Sequence, residues 1–107
     1  VQVFTARHVE QGGSFVGASS HSWPVAAIVR ADSRPTLFEP VSAQHNAIAS
    51  VVMKFHDIAR LDDPPTRISV VRDKKDLGDM LAVLQQASHV INEDATPEIL
   101  KSLVGAR

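Results

Sequence analysis

An α/β fold is predicted by three features of this sequence. The first forty or so residues break into short β-like runs separated by turn chemistry, an amphipathic helix follows over residues 41–61, and a strand and second helix come after it. The helix is the best-marked element. Ile48, Val52, Phe55 and Ile58 with Ala59 recur at spacings of three and four, the stripe of a helix that covers a sheet. Ser42 is a candidate N-cap, and Asp62-Asp63-Pro64-Pro65 ends the helix, because proline lacks the amide donor and disfavours the α region in the residue before it.

Before that helix, residues 1–9 mix β-branched and aromatic side chains and predict a strand, with Gln11-Gly12-Gly13-Ser14 as a tight turn. Phe15 starts the next strand. Residues 19–24 are polar apart from Trp23 and interrupted by Pro24, and residues 25–29 form a short apolar run of the kind buried in a sheet. Asp32-Ser33-Arg34-Pro35 reads as a turn and residues 36–39 as a short strand. After the helix, residues 67–71 predict a strand expected to pair with the N-terminal one. A second helix is expected over residues 73–91, capped by Asp73 and striped by Leu77, Met80, Leu81, Leu84, Ala87 and Ile91. Thr96, Pro97 and Glu98 then open a short C-terminal helix with Gly105 past its end.

With 107 residues and 44% hydrophobic content, the chain suits one modest core, and residues 1–107 read as a single domain. It starts at Val1 rather than Met, so a piece of a longer polypeptide or a processed product is expected. Eleven Lys and Arg against twelve Asp and Glu give a formal net charge of −1, without the broad positive field of a chain that lives on nucleic acid. Absence of Cys excludes disulfides and cysteine-based zinc or redox chemistry and permits a reducing interior, leaving localisation open. No apolar run approaches the roughly 18 residues of a membrane span and no signal-peptide pattern occurs, so a soluble chain with no membrane partner is expected.

Several stretches resemble the ribonuclease H-like fold over about the first 86 residues. Val1-Gln2-Val3-Phe4-Thr5 resembles that family's first strand, Gly12-Gly13-Ser14-Phe15-Val16-Gly17-Ala18 its glycine-rich second strand, Gln44-His45-Asn46-Ala47-Ile48-Ala49 its helix opening, and Ile68-Ser69-Val70-Val71-Arg72-Asp73 its fourth strand. The resemblance implies a mixed sheet with antiparallel N-terminal strands followed by helix, strand and helix. It also implies catalytic carboxylates at the positions held here by Ala6, Ala49 and Arg72. Two-metal phosphodiester cleavage needs clustered carboxylates around cations about 4 Å apart. Alanine cannot ligate a cation and arginine repels one; a one-residue slip brings in Asp73 alone. The expected function is therefore a noncatalytic ribonuclease H-like domain without cofactor. It would act as a structural or protein-interaction module beside neighbouring domains of an assembly such as a reverse-transcriptase polyprotein. Alternatives are residual nucleic-acid binding through Arg7, His8, Arg72, Lys74 and Lys75, and an unrelated small α/β enzyme.

Other chemistry is weakly signalled. Of the five histidines, His45 and His56 share a helix face but stand three turns apart, about 16 Å, too far for one ion. Arg72, Lys74 and Lys75 suit either a phosphate or a solvated turn balanced by Asp73 and Asp76. Trp23, the one tryptophan, suits a protein contact or ordinary packing. Ser14, Ser19, Ser20 and Ser22 lie near His21 without a nucleophile elbow or an oriented acid.

Overall fold

In a computed structural model, which describes residues 9–30 and 34–94, the chain forms a five-stranded mixed sheet with two α-helices packed on it. The strands are β1 (Val9–Val16), β2 (Ser22–Val29), β3 (Thr36–Pro40), β4 (Thr66–Val71) and β5 (His89–Asn92). The helices are α1 (His45–Ala59) and α2 (Met80–Ala87), with a 3-10 turn at Lys74–Leu77. Spatial order follows chain order, β1-β2-β3-β4-β5. The first two pairings are antiparallel and the last two parallel.

The antiparallel half departs from expectation in its turn. β1 runs straight through Gln11-Gly12-Gly13-Ser14, and the reversal falls at Gly17–His21, where Gly17 N–H donates to the His21 carbonyl at 3.0 Å and Ser20 N–H to the Gly17 carbonyl at 3.0 Å. β2 offers a continuous partner, with Phe15 beside Trp23 and Gly13 beside Val25, and cross-strand pairing outweighs the local turn preference of glycine. Pro24 sits in β2 without breaking it. β3 pairs with β2 only from Ala27 to Val29, so Pro24 lies where β2 has one neighbour and a missing amide donor is tolerated.

The predicted pairing of the N-terminal strand with residues 67–71 is replaced by another. β4 has β3 on one side, with Phe38 beside Ile68, and β5 on the other, with Val70 beside Ile91. Both of its edges are therefore taken. The cause is local: Thr36–Pro40 leads into α1, and a strand-helix-strand connection returns the chain parallel to the strand it left. Residues 1–8 and the helix expected from Thr96 onward lie outside the described residues.

α1 starts at His45 rather than just after Ser42, because Val41 N–H donates to the Val70 carbonyl at 2.9 Å and keeps the chain extended past the end of β3. Its N-cap is Gln44, which makes no side-chain capping bond. The second predicted helix is cut twice. Asp73 caps the 3-10 turn by accepting from Lys75 N–H, Gly78 at φ 55 interrupts the coil, and α2 ends at Ala87. Ile91 belongs to β5, since Val90 and Ile91 are buried as strand residues against β4.

The core joins Leu37, Val71 and Val90 of the sheet to Ile48, Val51, Phe55 and Ile58 of α1 and to Leu84 and Ala87 of α2, which places both helices on one face. Thr36 is an exception to good bonding. Its hydroxyl is fully buried and has no hydrogen-bond partner among the described residues. Removing an unsatisfied buried hydroxyl with retention of shape should stabilise, so Thr36→Val should gain about 1 kcal/mol in urea unfolding. An unchanged or lowered midpoint would show that the hydroxyl is satisfied.

Candidate functional site

The β1–β2 turn is held against the last turn of α1 by one side chain, Asp57. Its carboxylate accepts from Ser19 N–H at 2.9 Å, from the Ser19 hydroxyl at 2.7 Å and from Trp23 Nε1–H at 2.8 Å, while its backbone carbonyl accepts from Ala18 N–H at 3.2 Å. The bond from Trp23, then that from the Ser19 hydroxyl, with smaller help from Ser19 N–H and Arg60, hold the carboxyl below its ordinary 3.8 against the opposing effect of desolvation. A carboxylate whose folded pKa is depressed adds stability above the unfolded value, and that stability is lost as pH falls through the folded value. The wild type should therefore lose stability below about pH 4 more steeply than Asp57→Asn. Parallel pH profiles in denaturant titrations would show that the ionised carboxyl does not hold the turn.

This clamp shapes what lies beside it. Trp23, half-buried, meets the His21 ring edge-on at 4.3 Å between centroids and forms one wall of an open groove of about 640 Å³. Ala49, Val52, Met53 and His56 of α1, Arg60 just past its end, and Met80 and Val83 of α2 line it as well. Met53 is 63% exposed and Val83 38%. Apart from its histidines, α1 carries two ionisable residues, and both are buried in internal contacts. Lys54 Nζ donates to the Pro24 carbonyl at 2.6 Å and lies 3.3 Å from Glu39, and Asp57 is the clamp. The outer stripe of α1 is left without charge.

The residues singled out in sequence are dispersed. Ala6, Arg7 and His8 lie outside the described residues. Ala49 lies in the groove, whereas Arg72 lines a different depression at the C-terminal end of β4, with Ser42, Asp73 and Asp76. Lys74 and Lys75 follow Arg72 in the 3-10 turn, their amides bonded to Asn92 Oδ1 at 2.9 Å and Asp73 Oδ1 at 3.0 Å. That end therefore mixes both signs of charge. His45 and His56 are exposed near opposite ends of α1, and among the described residues no three His, Asp or Glu side chains are grouped to hold a metal.

Sequence reasoning missed Asp57. Ser19 does have an oriented acid, contrary to expectation, but the hydroxyl donates directly to the carboxylate with no imidazole between them. Nucleophile activation needs a base placed to take the hydroxyl proton, with the acid behind it. Ser19 and Asp57 form a structural tie instead. A lone Asp in a helix, 38 positions from its partner, has no local signature. No family model, curated protein or solved structure matches this chain.

Proposed function

We propose that this chain is a noncatalytic interaction module, ribonuclease H-like in layout, that docks a protein on the outer face of α1. One observation carries this reading. α1 uses Lys54 and Asp57 internally and presents Ala49, Val52, Met53 and His56 to the groove between Trp23 and Val83. A helix solvated on its outer face ordinarily carries charged residues there, and a fixed apolar stripe is what the core of a protein interface uses. The clamp adds preorganisation, since Trp23 is held by its indole N–H with its ring against the groove.

The element order, antiparallel strands followed by helix, strand and helix, supports the ribonuclease H-like layout; β3 beside β4, where that layout puts the N-terminal strand, weighs against it. A lack of catalysis is favoured by the residues themselves, since Ala49 and Arg72 offer no carboxylate and line separate depressions. Nucleic-acid binding through Arg72, Lys74 and Lys75 is less favoured because Asp73 and Asp76 share that end. Neighbouring domains of a larger polypeptide, such as a reverse-transcriptase polyprotein, are the partners this reading implies.

Two measurements test it. With magnesium or manganese the chain should leave an RNA–DNA hybrid uncut. A benzophenone placed at position 53 should cross-link a protein partner, saturably by that partner once purified, whereas the same group at exposed Gln86 should not. Hybrid cleavage would overturn the noncatalytic reading. Salt-dependent duplex binding tighter than about 1 µM, lost in Lys74→Ala with Lys75→Ala, would replace protein docking by nucleic-acid binding.

A further inference from the structure

The sheet has a second face. Leu37, Val71 and Val90 point to the helices, and side chains alternate along a strand, so Thr36, Ile68, Val70 and Ile91 point the other way. Val29 joins them, since it stands opposite Thr36 in the β2–β3 register. Ile68 is 0% exposed, Val29 3% and Ile91 7%, yet none of the three belongs to the cluster under α1 and α2. A face left to solvent could not bury them. Parallel strands, here β3 to β5, occur almost only in sheets covered on both sides.

One chain alone achieves this burial, so the cover belongs to the same chain. Both helices are on the other face, and the described loops join elements at the ends of the sheet, which leaves residues 1–8, 31–33 and 95–107. Residues 31–33 are only three, and residues 1–8 lead into β1, at the opposite edge of the sheet from β5. Residues 95–107 follow β5 directly, just after Glu93 N–H donates to the Val71 carbonyl at 2.8 Å. Their sequence fits the face. On a helix opened by Thr96 and Pro97, Ile99, Leu100, Leu103 and Val104 would share one side and Glu98, Lys101 and Ser102 the other. Eight helical residues from Pro97 measure about 12 Å, close to the ~13 Å that β4 runs from Thr66 to Val70. Independently of the docking surface on α1, we propose that this C-terminal stretch is the second layer of the fold, laid by its apolar side across β3, β4 and β5 and sealing Ile68 and Ile91.

The test reads contacts in the intact 107-residue chain. With isoleucine, leucine and valine methyls labelled for NMR, the Ile68 and Ile91 methyls should show cross-relaxation with Ile99 or Leu103. In urea titration Leu103→Ala should raise the unfolding equilibrium constant about 30-fold or more, and Lys101→Ala no more than about 2-fold. Part of the Leu103→Ala loss should vanish in an Ile68→Ala background, because residues in contact do not act additively. Should Leu103→Ala fail to fold, the wild-type cross-relaxation still decides. Cross-relaxation of Ile68 with Val1 or Val3 instead would hand the face to residues 1–8, and cross-relaxation seen only between differently labelled copies would hand it to a second chain. A Leu103→Ala loss no larger than that of Lys101→Ala would likewise overturn the proposal.

Discussion

Phe55→Ala should reduce the unfolding free energy by about 3–5 kcal/mol, the usual loss when a buried aromatic ring leaves a cavity. Phe55 is fully buried and belongs to the cluster that joins α1 to Leu37 and Val71 of the sheet, so neighbouring helices and strands would all have to shift to refill its volume. A single domain of this size typically has about 5–15 kcal/mol in total, so the variant should be partly unfolded under mild denaturant. Phe55→Leu, which keeps most of the volume, should lose less than half as much. Urea titration followed by Trp23 fluorescence reads both variants, and a loss below about 1 kcal/mol for Phe55→Ala would show that the ring is not in the core.

Gly17→Ala should also destabilise strongly for its size, by about 1–3 kcal/mol. Gly17 is buried in the reversal between β1 and β2, and a Cβ there would collide with the Asp57 carboxylate and press on Trp23 Nε1. A free carboxylate could swing away. This one is fixed by Ser19 and Trp23, so relief would sacrifice the bonds that hold the turn. The expectation is checked by a double-mutant cycle: in an Asp57→Ala background the added methyl should cost much less, whereas an unchanged cost would place the collision elsewhere.

What the sequence revealed and what it concealed divide along physical lines. α1 was legible because its stripe of Ile48, Phe55 and Ile58 is long and periodic and the Asp62–Pro65 run closes it. Its second, outer stripe is less so: Val52, which the spacing puts in the core stripe, is half-buried and lines the groove, while Val51 is the more buried of the two. β5 was hidden because Ile91 falls in phase with the helical stripe of Leu84 and Ala87, and four residues are too few for alternation to assert itself. Gly12-Gly13 suggested a turn that strand pairing overrides. Trp23, for which the sequence offers either a protein contact or ordinary packing, packs against the core and lines the groove. The bond that fixes it could not be read, since hydrogen bonds between residues far apart in sequence leave no pattern.

The agreement between strand order in space and strand order in the chain bears on how this domain is made. No strand must be inserted between two others already paired, so each new element docks on an edge that its predecessor has just exposed. The widest gaps to be closed are the two helical crossovers, which bring Phe38 beside Ile68 and Val70 beside Ile91. Addition at one edge suits a chain made N-terminus first, with the two parallel pairings the slowest to close. Growth by addition at one edge gives a testable signature. Released chains truncated after Val71 should already protect the amides that join β2 to β3, while β4 keeps one edge open until residues 89–92 are added.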